Sequence, residues 1–144
     1  MNIVEITVYT DDLLKAVNRL LPQLSYNVKP VSESYLKKII ESDSTFLFIA
    51  EDNNNISGML TLIMAPIPSG IRAVIEDVVV DETFRGKGIG RKLTEAAIEK
   101  ARKAGAAAIN LTSHPSRTAA NKLYQKMGFI LRETNVYKMD LVPK

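Results

Sequence analysis

Residues 73–105 constrain this chain more tightly than any other stretch. AVIEDVVV (73–80) is a valine-rich run broken only by Glu76 and Asp77, and it predicts a largely buried strand. Downstream, LTEAAIEKARKAG (93–105) predicts a helix that Gly105 ends. Between them FRGKGIGRKL (84–93) packs three glycines and four cations into ten residues. A strand that passes through such a turn into a helix N-terminus brings bare N–H groups and positive charge together, which makes an anion site. Glycines let a phosphate approach that backbone with no Cβ in the way. The same residues also read as a flexible turn with solvated cations, and the stretch alone leaves both readings open.

Spacing excludes two common phosphate loops. A Walker loop needs GxxxxGK followed by Ser or Thr, whereas Gly86-Lys87 runs into Gly88. A dinucleotide fingerprint needs GxGxxG, whereas Gly86, Gly88 and Gly90 are spaced GxGxG and meet Arg91.

The rest of the chain supplies an alternation of elements. IVEITVY (3–9) predicts a strand, and Asp11 and Asp12 are expected to cap a helix through about Leu24. A second helix is expected after Pro30, capped near Ser32. TFLFIAE (45–51) and ISGMLTLIM (56–64) predict an antiparallel pair joined by a short loop, after which APIPSGI breaks the pattern. After the 73–105 segment, a strand is expected at 107–113, a helix at 116–127 ended by Gly128, and a final strand pair from Phe129 to Leu141. The order βααβββαβαβ predicts an α/β domain with a mixed sheet.

Length and composition narrow the function. At 144 residues, 46% hydrophobic and 24% charged, the chain is expected to form one globular domain over 1–144. The net charge of +3 is unevenly spread: residues 1–72 carry six Lys/Arg against eight Asp/Glu, and 73–144 carry thirteen against eight. The basic half is the half with the glycine turn, which suits a small polyanion better than nucleic acid, for which a denser basic stripe with aromatics is expected. Cysteine is absent and His114 is the single histidine, so no metal site is expected. With no signal-like start and no apolar run of 18 residues, the expectation is a cytoplasmic protein with no membrane association.

Arg85-Gly86-Lys87-Gly88-Ile89-Gly90 matches the R/Q-x-x-G-x-G/A signature of the GNAT superfamily of N-acetyltransferases. IEDVVVD (75–81) resembles that family's fourth strand, and NKLYQKMGF (121–129) resembles its asparagine, tyrosine and GF segment in shortened form. The resemblance in order and spacing runs from about 45 to 141; the first third matches only as a strand followed by two helices. The resemblance implies the GNAT fold, a mixed and mostly antiparallel central sheet flanked by helices. It also implies acetyl-CoA as cosubstrate, lying where the fourth and fifth strands splay apart. Carried onto this sequence, it implies pyrophosphate contacts at Arg85, Gly86, Lys87, Gly88, Ile89 and Gly90, with Arg91 adding charge. It implies pantetheine contacts at Val78, Val79 and Val80, in the manner of an added strand, and at Asn121.

Acetyl transfer to an amine needs a group that accepts a proton. Glu76 is the first candidate, because partial burial in an apolar strand would raise its pKa and because family members often carry a glutamate there that works through water. In a regular strand it shares a face with Val78, two residues on, and Asp77 points the other way unless a bulge intervenes. The alternative is that Glu76 and Asp77 form a structural pair bonded to Arg72 or a loop N–H. Tyr124 stands where the family carries a tyrosine acting as general acid toward the CoA thiolate; the alternative is a core tyrosine with a satisfied hydroxyl. A backbone N–H near Val78 is implied as the oxyanion donor. Lys87, Arg91 and Arg117 read as phosphate contacts or solvated cations, and His114 as a loop residue or a substrate contact. Ser113 and Ser116 have no His/Asp partners in sequence, so no acyl-enzyme is expected.

The function expected is therefore direct transfer of acetyl from acetyl-CoA to a primary amine of a small molecule or peptide. Two alternatives stand beside it, an aminosugar acetyltransferase of the glucosamine-6-phosphate type and a non-catalytic acyl-CoA-binding regulatory module. The resemblance also implies a homodimer, with Val136, Tyr137 and Met139 available at a C-terminal edge.

Overall fold

The computed structural model describes residues 1–25 and 27–143. The chain forms two compact units, Met1–Thr112 and Ser113–Lys144.

The first unit is built on a five-stranded sheet. Its strands lie in chain order: β1 (Asn2–Glu5), β2 (Thr45–Asp52), β3 (Asn55–Ile67), β4 (Gly70–Val80) and β5 (Ile109–Asn110). Neighbours are antiparallel except β4 and β5, which are parallel and joined through the helix α3 (Ile89–Lys103), as a parallel pair requires a crossover. Helices α1 (Asp11–Leu20) and α2 (Glu33–Glu41) fill the connection between β1 and β2. The architecture is the expected α/β one, with a mixed, mostly antiparallel sheet.

Alternation along the strands sends side chains to two cores. Leu47, Ile49, Met59 and Val79 pack with Leu13, Val17, Leu20, Leu21 and Leu36 from the first two helices. The intervening Phe48, Leu60, Leu62 and Ile75 are also buried and face the other way, toward α3. There Ile89, Leu93, Ala97 and Ala101 recur every four residues on the buried face of α3. Gly58 lets that helix sit close. A Cβ on Gly58 would lie 3.1 Å from the Val79 carbonyl oxygen and 3.2 Å from both Ile89 Cγ2 and Leu93 Cδ1.

Several boundaries differ from those expected, each for a local reason. Thr10, not Asp11 or Asp12, caps α1: its φ of −139° and ψ of 153° are extended, and its side chain accepts from the Leu13 N–H. The two aspartates occupy the first turn, where they favour the helix dipole. The α-helix stops at Leu20 and tightens into a 3-10 turn over Leu21–Gln23, at Pro22. The loop between β2 and β3 closes on Asn53 and Asn54, with φ of 49° and 64°, the conformation that asparagine tolerates in hairpin turns. APIPSGI does not break the sheet: β3 continues to Ile67 and β4 begins at Gly70. The Met64 N–H reaches the Ser44 carbonyl on the β2 side, so the Pro66 nitrogen points off that same edge before β2 begins and removes no ladder bond.

β5 is two residues long rather than the seven expected at 107–113. The N–H of Ala106 is committed to the Ala101 carbonyl at the end of α3, and Ala107 and Ala108 are weak strand formers. In the second unit, α4 (Thr118–Lys126) is ended by Gly128 at φ 103°. The final strand pair expected from Phe129 to Leu141 is not formed. These residues carry no regular structure, and Val136, Tyr137 and Met139 are 76–88% exposed. A hydrophobic run alone does not make a hairpin, because an isolated pair of strands is marginal in water. No described helix is long and apolar enough to cross a membrane.

Candidate functional site

The second half of β4 is the most unusual backbone in the sheet. β5 pairs only with Ala73 and Val74, so from Ile75 to Val80 the strand is hydrogen-bonded on its β3 side and meets no described strand on the other. The pairing with β3 also slips there. Met59 faces Val79 and Thr61 faces Glu76, leaving Asp77 and Val78 opposite the single residue Leu60. This is a β-bulge, and Asp77 takes φ 49° to make it.

The bulge changes which side chains share a face. Glu76 lies opposite Thr61 and Val79 opposite Met59, so Glu76 shares the α1/α2 face with Val79 and not, as a regular strand would have it, with Val78. Glu76 is exposed, so the partial burial expected of it is absent. Asp77 is exposed as well. Neither carboxylate has a hydrogen bond or ion pair among the described residues, so the alternative in which they bond Arg72 or a loop N–H has no contact behind it.

Beyond β4 the chain is pinned before it becomes free. The Asp81 N–H donates to the Ser57 carbonyl at 2.8 Å. The Asp81 carboxylate accepts from the Thr83 N–H at 3.1 Å and hydroxyl at 2.9 Å, capping a 3-10 turn over Glu82–Phe84. Arg19 of α1 forms an ion pair with the same carboxylate and donates to the Ile56 carbonyl at 2.6 Å. Gln23 Oε1 accepts from the Glu82 N–H at 2.9 Å. Asp81 is only 7% exposed, and the Thr83 N–H, followed by the Thr83 hydroxyl and Arg19, outweighs burial and lowers its pKa from the usual carboxylate value. Sequence reading missed Arg19, Gln23, Gly58 and Asp81, because each acts through a partner far away in the chain.

Within the folded chain, conformation is what favours glycine in the loop. Gly86 and Gly88 have φ of 81° and 79°, and a Cβ at either would meet nothing within 4 Å. Gly88 caps α3 without any side-chain hydrogen bond, and the first intrahelical bond is from the Lys92 N–H to the Gly88 carbonyl. The N–H groups of Ile89, Gly90 and Arg91 therefore have no acceptor inside the helix. No acidic residue lies in that first turn. Arg85 Nε donates to the Val80 carbonyl, Lys87 stands 5.1 Å over the Phe84 ring, and Arg91 Nε bonds Glu95. This start of α3 is a cationic, donor-rich surface beside the open edge of β4.

Of the three strand residues expected at pantetheine, Val79 is buried in the core and pairs with Met59 on the β3 side, while Val78 and Val80 are half-buried.

In the second unit, Tyr124 is 8% exposed and stacks edge-on with Phe129, ring centroids 5.7 Å apart. Burial raises its pKa, opposed by the charge of Arg117, so the phenol is protonated at neutral pH. No described residue hydrogen-bonds its hydroxyl. Asn121 Nδ2 donates to the carbonyls of His114 and Arg117 at 2.9 and 2.8 Å, leaving Oδ1 to accept. His114 Nδ1 bonds the Ser116 N–H and hydroxyl, a local turn.

Comparison with known proteins identifies the family. A model of the acetyltransferase (GNAT) family matches residues 13–129. An uncharacterized N-acetyltransferase of Methanocaldococcus jannaschii is 30% identical over 111 residues, covering 75% of this chain and 49% of that protein, so the chain spans about half of its length. N-alpha-acetyltransferase 30 of Schizosaccharomyces pombe is 28% identical over 88% of this chain and 83% of that protein. An aminoglycoside acetyltransferase from an uncultured soil metagenomic sample, solved with trehalose, superimposes with a TM-score of 0.87 over 99% of this chain and 96% of its own; at 20% identity this likeness is one of fold.

Proposed function

The chain belongs to the GNAT family of acetyltransferases, and from that premise we propose that it moves acetyl from acetyl-CoA directly to a primary amine of a small molecule or peptide. One observation carries the reading: beyond Val74 one edge of β4 meets no described strand, and it leads through a glycine loop to an N-terminus of α3 that no side chain caps. A CoA thioester is complementary to both parts. Its pyrophosphate suits the free N–H groups and cations from Arg85 to Arg91, and the amides of its pantetheine arm suit the edge at Val78–Val80.

The chemistry needs three further groups. Glu76 takes a proton from the attacking amine, directly or through water, and bound substrates exclude bulk water from a carboxylate that stands exposed in the free chain. An N–H in the bulge at Val78 stabilises the oxyanion as the nitrogen–carbon bond forms, worth about 3 to 4 kcal/mol where such donors have been removed. As the carbon–sulfur bond breaks, Tyr124 donates its proton to the leaving thiolate. The Oδ1 of Asn121 accepts from a pantetheine N–H.

The test is amine-dependent thiol release from acetyl-CoA, run against peptides, polyamines, amino acids and aminosugars, with and without phosphate. Release with one class, slowed about 100-fold by Glu76→Gln within the range of general base catalysis, is the expected result. Binding of acetyl-CoA with no release on any amine would replace the enzyme with an acyl-CoA-binding module.

A further inference from the structure

The face of the sheet that carries Glu76 is covered by α1 and α2 only in part. Along β3 and β4 the pairs Thr61 with Glu76, Ile63 with Val74 and Ala65 with Arg72 run in unbroken register. Residues directly opposite share a face, so these six side chains form one strip on the α1/α2 side of the sheet. Ile63, Arg72 and Glu76 are exposed, and the other three are half-buried. The strip is apolar in its middle and carries opposite charges at its ends. Four residues of strand separate those ends, about 13 Å.

Both end charges are unspent. Neither Glu76 nor Arg72 makes a hydrogen bond or ion pair among the described residues. Ala65, opposite Arg72, is too small to cover the guanidinium. An isolated cation at the surface is ordinary; a cation in register with the proposed base, on an open apolar strip leading away from it, is a second recognition point for whatever amine the base serves.

We infer that the acceptor carries an anionic group, carboxylate or phosphate, which Arg72 receives while Glu76 receives the amine. The inference rests on the acetyltransferase reading and narrows its substrate class. An extended peptide advances about 3.3 Å per residue, so an acidic side chain at its third or fourth position reaches Arg72 when its amino group is at Glu76. A phosphorylated aminosugar presents the same chemistry over a shorter span.

The experiment measures kcat/KM on the full chain at saturating acetyl-CoA. The acceptors are tetrapeptides with Glu, Gln or Lys at the third or fourth position, and an aminosugar with and without its phosphate. The anionic member of one series is expected to be preferred, which also names the source of the anion. Arg72→Ala should shrink the ratio of anionic to neutral acceptor about fivefold, the upper worth of a partly exposed ion pair, and Arg72→Glu should turn the preference toward Lys. Turnover indifferent to acceptor charge, or an equal ratio in wild type and Arg72→Ala, would overturn this inference and leave the acetyltransferase reading standing. No turnover on any acceptor would remove both.

Discussion

Arg19 near the end of α1 and Asp81 at the exit of β4 are joined by an ion pair across a separation of 62 residues. The contact fixes the residue at which β4 passes into the loop before α3, and it does so from outside that loop. Arg19 also holds the Ile56 carbonyl, so one side chain ties α1 to the two strands that flank the bulge.

Replacing Arg19 by Ala leaves a nearly buried carboxylate with Thr83 as its remaining partner, and about 1 to 2 kcal/mol of stability should be lost. The larger effect should fall on the loop: acetyl-CoA binds more weakly while kcat at saturation changes little. Urea melts and the split between KM and kcat check the two parts.

Acid should act through the same carboxylate. A folded pKa below the ordinary 3.8 means that Asp81 contributes stability fully present above that value and lost as pH falls through the folded one. The stability gap between wild type and Asp81→Asn should therefore be constant near neutrality and close below about pH 4, as read from denaturant midpoints across pH.

Gly58→Ala sets two opposing effects against each other. Less freedom in the unfolded chain would stabilise by about 0.4 to 1 kcal/mol, whereas crowding a core typically costs about 1 to 3 kcal/mol. Crowding should win, because the nearest atom is the backbone oxygen of Val79 at 3.1 Å, which cannot swing aside. A lowered melting temperature together with weaker acetyl-CoA binding is expected, since Ile89, at the start of α3, is one of the displaced neighbours.

Gly88→Ala should behave differently. The added methyl has open space, so the cost is conformational, about 1 to 2 kcal/mol for a left-handed residue. Relief of that strain turns the donor groups at the start of α3, and calorimetry should show a loss of CoA affinity out of proportion to the change in melting temperature.

For Tyr124→Phe, stability should move by less than about 0.5 kcal/mol, because no described residue bonds the hydroxyl. Proton donation would be lost, and kcat should fall about 100-fold, the lower end for general acid catalysis. Because burial raises the phenol above its ordinary 10.0, the alkaline fall in rate due to this group should lie above pH 10 in a pH–rate profile.

What could be read in the sequence was what local pattern encodes. The valine run, the positive-φ glycines and the four-residue spacing of Ile89, Leu93, Ala97 and Ala101 are neighbours in the chain, and β4, the loop and α3 were placed within a few residues. The bulge at Asp77 was not legible, since it exists only as a mismatch with Leu60 on another strand. Arg19 and Gly58 escaped for the same reason, their meaning lying in Asp81 and in α3. The strand pair expected after Phe129 shows the reverse error: a β-prone segment becomes a strand only where a partner accepts its hydrogen bonds. The burial that an apolar strand predicts for Glu76 is absent, and what supports it as the base is its exposure on an open face with no partner among the described residues.

Calorimetric titration of the purified chain with acetyl-CoA and with CoA tests the central claim most directly. One site per chain, weakened by Gly88→Ala and by added salt, is the result predicted by an anion-binding helix start next to an open strand edge. No heat of binding for either ligand, from a chain shown to be folded, would contradict it.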